Sequence, residues 1–342
     1  MFSGEGVLPN NEAIPPQPGI LEAPSAPKLV GIARLAQESP QLRERANVQY
    51  FALGARSALN RESSRRMPFA WTLNPYRGCE FGCKYCYARY THEFMELGNG
   101  LDFERKIYAK AGASGLLRAE LRQARDKGLP IALGTATDPY QPAEKQFGVT
   151  RSILETMAEF AGLDFSITTK SVLIVRDLDL LGKLSLCHRV SVHMTVTTLD
   201  EALARLLEPK APPPLKRLEA VRELAAAGIS AAPILPGLTD SRRSLETLAQ
   251  AAALHGARFL FGNVLFLMPS AMAQFMPFLE KEFPHLAHRY RKLYGHSAYL
   301  SGEYKKEISN LVAELRARYG LTGNCDEPRS RELHKQYALA FG

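Results

Sequence analysis

The hydrophobic pattern of the chain becomes regular from about residue 71, where short apolar runs alternate with longer amphipathic stretches. Short apolar runs that end in Gly, Pro or polar residues are typical of buried strands. We predict strands at residues 71–76, 130–135, 165–169, 190–196, 229–235 and 259–266. Strands that alternate with helices in this way predict an α/β fold with a parallel sheet.

The stretches between these strands carry apolar residues three and four positions apart, which is the spacing of a helix with one buried face. In residues 113–127, Leu117, Leu121 and Ala124 share a face, and Gly128 follows as a stop signal. We predict further helices at residues 149–160, 176–184, 200–207, 215–227 and 244–254.

The two flanks of this region have different patterns. Residues 1–41 contain many prolines and no sustained periodicity, which predicts a flexible, disordered arm. Residues 42–70 form a basic lead-in in which the pattern defines no elements. Residues 71–270 contain all the predicted strands. Residues 271–342 are expected to form a helical C-terminal extension whose aromatic residues belong to its core.

The composition is that of an ordinary soluble globular protein, with 46% hydrophobic and 23% charged residues in a chain of 342. No apolar run approaches the roughly 20 residues that a membrane helix needs. The N-terminus also lacks the basic and then apolar pattern of a secretory leader. We therefore expect a cytoplasmic location and no membrane partner.

The net charge of +8 favours a polyanionic partner such as nucleic acid, and a solvated surface with a modest excess of Lys and Arg explains it equally well. The excess is sharper in residues 43–66, which contain six arginines and two acidic residues. Within this stretch we predict that Arg61, Arg65 and Arg66 bind nucleic acid.

The densest chemical signal is the run NPYRGCEFGCKYCY at residues 74–87, in which Cys79, Cys83 and Cys86 have the spacing C-x3-C-x2-C. The whole chain has only five cysteines. Thiolates this close repel one another and oxidise readily, so such a loop is typical of a site for a soft metal.

Three kinds of site can be compared. A disulfide framework does not fit three clustered cysteines in a chain long enough to bury a core. A zinc site would need His92 as its fourth ligand, and zinc motifs usually show paired spacings. A [4Fe–4S] cluster held at three corners would keep one iron without a protein ligand, where chemistry can take place.

The C-x3-C-x2-C spacing, with Tyr85 just before the third cysteine, resembles the signature of the radical S-adenosylmethionine (radical SAM) superfamily. The wider run NPYRGCEFGCKYCYAR is similar to the spore photoproduct lyase-like branch of that family. The resemblance implies that three thiolates bind three irons and that the fourth iron chelates the amino and carboxylate groups of S-adenosyl-L-methionine (SAM). An electron from the reduced cluster then yields methionine and a 5′-deoxyadenosyl radical.

The resemblance also implies a fold and a redox partner. The fold is a partial (β/α)6 radical SAM barrel at residues 71–270, which the C-terminal extension caps at its open edge. The partner is an external electron donor of the flavodoxin or ferredoxin kind.

True spore photoproduct lyase returns a hydrogen atom to DNA from a cysteine that follows the cluster motif. This chain has no cysteine between Cys86 and Cys187, so we do not assign it thymine-dimer repair. Cys325, in a predicted loop, is a candidate hydrogen donor, and no other catalytic residue is assigned.

Ligands of parallel α/β folds bind beyond the carboxyl ends of the strands. The polar residues at these ends are therefore compared with the SAM contacts that the resemblance implies. The chain lacks the Gly-Gly-Glu motif that many family members use for the SAM amino group, and its own run TATDPYQP is similar to the lyase-like branch. Besides Tyr85, the cofactor-binding candidates are Thr135, Thr137, Asp138, Lys170, Ser171, His193 and Pro233.

Among these candidates, Lys170 with Ser171 would hold the SAM carboxylate and one of Thr135, Thr137 and Asp138 the ammonium group. A capped turn explains residues 134–142 without a ligand. A solvated lysine at a strand end likewise explains Lys170, and a satisfied core histidine explains His193.

The sequence thus predicts a radical SAM enzyme whose substrate it does not identify, and the basic charge and the resemblance favour nucleic acid, through a lyase-like repair or a base modification. Two alternatives stay open: radical modification of a protein or small metabolite, and a non-catalytic zinc or iron–sulfur protein that binds nucleic acid.

Overall fold

The computed structural model describes residues 29–63, 67–97, 100–126, 128–224, 227–300 and 302–323. The strands are β1 Gln41–Arg45, β2 Val48–Ala52, β3 Leu59–Arg61, β4 Trp71–Leu73, β5 Tyr76–Arg77, β6 Lys106–Ala109, β7 Ile131–Leu133, β8 Asp164–Thr169, β9 Arg189–Thr195, β10 Ala227–Ser230 and β11 Leu260–Phe261. The helices are α1 Gly31–Gln37, α2 Tyr90–Glu93, α3 Asp102–Arg105, α4 Ala113–Asp126, α5 Glu144–Phe147, α6 Val149–Met157, α7 Leu178–Cys187, α8 Glu201–Leu207, α9 Pro214–Glu223, α10 Arg242–Leu254, α11 Pro269–Glu282, α12 Pro284–Tyr294 and α13 Glu303–Tyr319. Short 3-10 helices cover Tyr87–Arg89 and Val172–Asp177.

A seven-stranded sheet with the order β11-β10-β9-β8-β7-β4-β3 forms the centre of the fold. Strands β4 and β7 to β11 are parallel, and β3 pairs antiparallel with β4 at the edge. The parallel strands overlap the predicted apolar runs, and helices lie between them along the chain. The predicted α/β class, a partial (β/α)6 barrel, is confirmed.

The two faces of this sheet differ in polarity, because successive side chains of a strand point to opposite faces. On one face Ile167 and Val192 are buried in a single apolar cluster with the inward sides of the helices. The other face carries Ser166, Thr168 and His193, and Thr168 and His193 are paired across neighbouring strands. This polar face lines the inside of the partial barrel.

A second sheet has the order β1-β2-β6-β5. Strands β1 and β2 form a hairpin whose turn residues, Ala46 and Asn47, have φ of 48° and 64°, which matches the twist of a two-residue hairpin loop. The hairpin lies in the basic lead-in, and sequence pattern missed it because every residue of β1 is exposed and no alternation is present. Tyr50 and Tyr108 belong to two separate apolar clusters that cover this sheet.

Helix α1 corrects the prediction of an unstructured arm up to residue 41. Its buried residues are Ala33 and Ala36, which are too small and too few to give a clear helical period. Residues 1–28 of the predicted arm lie outside the described residues.

The C-terminal region is helical as predicted, and helices α11 and α12 each begin with a proline in the first turn. Phe275 and Tyr290 are fully buried, in agreement with a core role for the aromatic residues. Tyr294 donates a hydrogen bond from its hydroxyl to the Leu265 carbonyl, 2.8 Å away, and so ties α12 to the segment after β11. In the described parts of the chain, no helix combines the length and the apolar content that crossing a membrane requires.

We predict that Gly228→Ala destabilises the protein. A Cβ atom at this position would lie 2.4 Å from ring carbons of Phe259, which is fully buried and packs 4.7 Å from the His193 ring. Overpacking of this kind lowers the free energy of unfolding by about 1–3 kcal/mol. Urea unfolding followed by circular dichroism measures the change.

The matched control for this prediction is Gly182→Ala in α7, where nothing lies within 4 Å of the added Cβ atom. Alanine favours a helix over glycine by roughly 0.5–1 kcal/mol, so this variant should be at least as stable as the parent protein. Equal stability of the two variants would contradict the close contact between β10 and Phe259.

Candidate functional site

The three motif cysteines lie on the loop that follows β5, beyond the carboxyl end of the first parallel strand. The Cys79 and Cys83 side chains are buried and Cys86 is half-buried, and all three are free thiols. The structure therefore gathers three free thiols in one loop, two of them buried and one half-buried.

The backbone of this loop is held from two sides. Gly78 has φ of 80°, and a Cβ atom there would lie 2.7 Å from the Lys106 carbonyl oxygen and 2.8 Å from that of Phe103. The next residue, Cys79, donates its N–H to the Phe103 carbonyl at 2.8 Å. On the opposite side the Gly78 carbonyl accepts a hydrogen bond from the Thr137 hydroxyl at 2.6 Å. Only glycine fits at position 78.

Arg89 supports the far end of the loop. Its guanidinium donates to the carbonyls of Cys83 and Gly100 and forms a 2.8 Å ion pair with Glu104 in a buried position. The five donors of arginine suit it to hold several acceptors at once. The path of the loop is therefore determined by contacts outside the motif.

Burial raises the pKa of all three thiols, and that of Cys83 reaches about 12. The charges of Asp138 and of the other two cysteines raise the pKa of Cys79 further, whereas Lys170 lowers that of Cys83 and Cys86. Thiols of this kind keep their protons until a metal cation replaces them, because the thiolate is the metal ligand.

The donor set can be compared with the needs of a single metal ion and of a cluster. Among the described residues, no group of three or more His, Cys, Asp or Glu side chains is placed to hold one metal ion. A cubane cluster binds each thiolate at a different iron and does not need the ligands around one point. The three thiols fit an iron–sulfur cluster.

His92, considered above as a zinc ligand, packs elsewhere. Its ring makes edge contacts with Phe103 and Tyr108, and its Nε2 atom lies 3.1 Å from the Lys106 carbonyl. A carbonyl only accepts hydrogen bonds, so Nε2 carries the proton. Burial lowers the pKa of His92 to about 4, which keeps the ring neutral at pH 7.

The loop after β7 contains three of the predicted SAM contacts, and in the structure each makes contacts within the protein. Thr135 shares hydrogen bonds with the Asn74 amide, and Thr137 donates to the Gly78 carbonyl as described. Asp138 accepts from the Thr169 hydroxyl and from the backbone N–H of Lys170, both at 2.7 Å. This loop therefore joins the cysteine loop to the end of β8.

Lys170 brings a cation to the cysteine loop. Its Nζ atom lies 5.6 Å from the centre of the Tyr85 ring. Burial alone would lower the pKa of Lys170, but the nearby Cys83 and Glu208 outweigh it and raise the pKa. Within the described part of the chain the ammonium group has no hydrogen-bond or ion-pair partner, so it is free for an anionic ligand. Ser171 instead accepts the Leu173 N–H at 3.2 Å and caps the following 3-10 helix.

A buried ionic network lies behind Tyr85 and was not predicted. Glu208 and Arg217 form an ion pair at 2.6 Å with side chains 1% exposed. The Tyr85 hydroxyl and the Thr197 hydroxyl both donate to the Glu208 carboxylate. Burial alone would raise the pKa of Glu208, but the charges of Arg217 and Lys170 outweigh it and lower the pKa. No local sequence pattern marks Glu208 or Arg217, because α8 and α9 each contribute several charged residues.

The remaining cofactor candidates lie on neighbouring strands. His193 is on the inner face of β9 and pairs with Thr168 of β8. Thr168 stands two positions before Lys170 in the chain. Pro233 follows the end of β10 after a cis peptide bond from Ala232. Both positions are at or near the barrel interior, and their contact with SAM stays a prediction.

The candidate nucleic-acid contacts are only partly described. Arg61 is exposed on β3 and pairs with Trp71, the first residue of β4. The cysteine loop comes after the last residue of β4, at the opposite end of that strand. Because β3 is antiparallel to β4, the chain carries Arg61 away from the cysteine loop. Arg65, Arg66 and the candidate hydrogen donor Cys325 lie outside the described residues.

A model of the radical SAM superfamily matches residues 73–250, which include the cysteine loop and the ends of the central strands. The chain belongs to the radical SAM superfamily. It is also 34% identical to an uncharacterized protein of Mycobacterium tuberculosis over 325 residues, which are 94% of this chain and 89% of that protein. The predicted family is thus confirmed, and with it the assignment as a radical SAM enzyme, a class that typically uses a [4Fe–4S] cluster and SAM.

Solved structures of spore photoproduct lyase have a similar fold. A cysteine-to-serine variant matches with a TM-score of 0.61 and 16% identity, over 86% of this chain and 84% of that one. A cysteine-to-alanine variant with dinucleoside spore photoproduct matches with a TM-score of 0.60 and 15% identity, over 79% of each chain. At this identity the likeness shows the fold alone.

We predict that Arg217→Met strongly destabilises the protein, because it leaves the Glu208 carboxylate buried without its cation. Breaking a buried pair in this way typically lowers the free energy of unfolding by about 3–5 kcal/mol. Arg242→Met is the matched control, since Arg242 pairs with Glu314 at 2.7 Å on the surface. Urea unfolding of both variants measures the difference.

A second variant identifies the cause of the loss. Adding Glu208→Gln to Arg217→Met removes the unpaired charge and should restore part of the lost stability. A double variant less stable than Arg217→Met alone would show that the loss comes from packing and not from charge.

Proposed function

We propose that this chain binds a [4Fe–4S] cluster through Cys79, Cys83 and Cys86 and cleaves SAM reductively to act on a nucleic-acid substrate. The observation that carries the proposal is the position of three free thiols, two buried and one half-buried, beyond the carboxyl end of the first parallel strand, with the unpaired ammonium group of Lys170 over the ring of Tyr85, which lies between them in sequence. Ligands of parallel α/β folds bind at this end of the sheet.

When bound, the cluster and SAM supply an electron to the sulfonium and a 5′-deoxyadenosyl radical that removes a hydrogen atom from the substrate. The protein holds and orients them. Lys170 pairs with the SAM carboxylate, and Asp138 positions Lys170 through its backbone N–H. His193 and Pro233 are assigned to the adenosine side of the site, and Thr135 to the ammonium group. Tyr85 supports Lys170 with its ring face.

The electron comes from another protein in this proposal. The chain has five cysteines, and the three of the motif leave two, too few for a second cluster with four cysteine ligands. A flavodoxin- or ferredoxin-like donor fits this need.

A nucleic-acid substrate is supported by three observations. The first is the net charge of +8, with Arg56 as an exposed cation in the described chain. A protein of similar fold has been solved with dinucleoside spore photoproduct. The third observation is a set of aromatic rings beside the cysteine loop.

These rings form what we call the aromatic column, made of Tyr87, Phe266 and Tyr299. Tyr87 follows Cys86 directly, and its ring centre lies 4.9 Å from that of Phe266. Phe266 is stacked on Tyr299 at 5.3 Å with an angle of 14° between the rings. Tyr299 is 57% exposed, so a flat ligand can stack on its outer face. The column reaches from the cysteine loop to the surface.

We predict that anaerobically reconstituted protein binds about four iron atoms per chain. Its dithionite-reduced electron paramagnetic resonance spectrum should show a cluster signal that SAM perturbs. Cys83→Ala should lose the signal. Lys170→Met should keep the signal and weaken SAM binding roughly 10- to 100-fold, since it removes a hydrogen bond to a charged group.

Cys187→Ala is the control, because Cys187 is exposed at the end of α7 and lies outside the motif. It should retain both iron and the response to SAM. A silent sample that contains zinc, or a cluster signal indifferent to SAM, would overturn the proposal. If His92→Ala then abolished metal retention, the structural-metal alternative would replace it.

We predict that Tyr299→Ala weakens the binding of single-stranded DNA, and that Tyr299→Phe does not. Stacking of a base on an aromatic ring contributes about 1–3 kcal/mol. Fluorescence anisotropy with a labelled oligonucleotide at low salt measures the loss. Leu254→Ala, at a residue that is 73% exposed, controls for the removal of surface apolar area.

Charge reversal at Arg61, Arg65 and Arg66 tests the candidate nucleic-acid contacts in the same assay. If these arginines contact phosphates, the variant binds more weakly and with a smaller dependence on salt. Absence of DNA binding by the unaltered protein would instead favour a protein or a small metabolite as the substrate.

A further inference from the structure

A cavity of about 190 Å³ lies between α1, residues 53–60 and the adjoining strands β5 and β6. It contains none of the motif cysteines. Its polar lining comes from Arg56, Ser57, Asn60, Arg77 and Lys110. None of the described residues that line it is acidic.

The cations of this cavity lack counterions within the described chain. Lys110 is only 5% exposed, and its ammonium group has no hydrogen-bond or ion-pair partner among the described residues. The Nε atom of Arg77 is buried and likewise has no hydrogen-bond partner there. Burial and the nearby Arg77 lower the pKa of Lys110 to about 8. Two basic groups therefore share a largely dehydrated space.

Two groups near the cavity, Glu120 and Tyr90, do not neutralise its cations. Glu120 is the acidic residue whose charge acts on Lys110, and its carboxylate accepts the N–H groups of Ala58 and Leu59 at 3.0 and 2.7 Å. Tyr90 lies near Arg77, and burial raises its pKa, so its hydroxyl stays neutral. A buried cation without a partner destabilises a fold, and an anion inside the cavity would remove that penalty.

The lining chemistry favours one class of anion. Arginine offers a fork of donors and lysine a point charge, and both recognise phosphate oxygens. Ser57 and Asn60 add neutral donors at the rim. The volume equals that of roughly six water molecules, which accommodates a phosphate group and is too small for a whole nucleotide.

We propose that this cavity is a binding site for a phosphate group. Arg77 stands two residues before Cys79, and Tyr90 is close enough to both Arg77 and Tyr299 for their charges to affect it. A phosphate held by Arg77 therefore lies beside the start of the cysteine loop. The site itself does not depend on the radical chemistry proposed above, because phosphate binding needs neither iron nor SAM.

Isothermal titration of the full chain with inorganic phosphate, in a buffer free of phosphate and at low salt, tests the site. Lys110→Met should weaken binding at least 10-fold, while urea unfolding shows stability that is unchanged or higher, since an unpaired buried charge has been removed. Lys216→Met makes the same change of charge at an exposed position on α9 and should bind phosphate as the parent protein does.

If Lys110→Met does not fold, Arg56→Gln at the exposed rim replaces it and should weaken binding at least threefold. Equal affinity of the parent protein and the cavity variant, or an equal loss in Lys216→Met, would overturn the proposal. Titration before and after anaerobic reconstitution shows whether phosphate binding depends on bound iron. The phosphate site is therefore tested independently of the proposed function.

Two competitors distinguish the source of the phosphate. Thymidine monophosphate carries a terminal phosphate, whereas an oligodeoxynucleotide without terminal phosphates carries only phosphodiesters. Displacement of inorganic phosphate by the oligonucleotide supports a site for the backbone of a nucleic-acid strand. Displacement by the monophosphate alone supports a site for a terminal phosphate. If neither competes at millimolar concentration while salt abolishes binding, the site is a non-specific anion sink and the proposal fails.

Discussion

The site depends on holding three cysteine thiols in one loop, two of them buried and one half-buried. Three thiolates in one loop would repel one another. The cysteines stay together there only when the surrounding structure holds the loop and excludes water. Here the hold comes from outside the motif: Gly78 lies against two carbonyls, Thr137 donates to it from the next strand end, and Arg89 fastens the far end. Residues outside the motif therefore determine the conformation of the loop.

The same constraint explains the charges around the loop. Lys170 lies over the Tyr85 ring, near enough to Glu208 for the two charges to affect each other, and Arg217 forms a buried ion pair with Glu208. Each charge in this series has an opposite charge nearby, and the ammonium of Lys170 still has no hydrogen-bond partner among the described residues. Burial makes these interactions strong, because the effective dielectric constant is low and solvent screens little. The network holds Tyr85 and leaves one cation for a ligand.

A second group of unbalanced cations, Arg77 and Lys110, lies at the junction of the two sheets. Arg77 lies on β5 and Lys110 directly follows β6, so the small sheet contributes both to the support of the cysteine loop and to a basic cavity next to it. The cavity and the aromatic column both adjoin the cysteine loop in sequence, since Arg77 precedes Cys79 and Tyr87 follows Cys86.

The sequence by itself determined those features that depend only on residues close together in the chain. The parallel strands, the helices between them and the three cysteines are short-range patterns, since the period of a buried strand or helix and the spacing of metal ligands need no knowledge of the rest of the chain. The sequence also placed Lys170 at the carboxyl end of a strand. Only the tertiary structure decided the rest. The exposed strand β1 and the short helix α1 carry no periodic signal. Arg61 lies near the cysteines in sequence, but the antiparallel direction of β3 carries it away from them. The pair of Glu208 and Arg217, and the meeting of Arg77 with Lys110, join residues from separate elements, because burial and charge balance are properties of the packed chain and not of any segment.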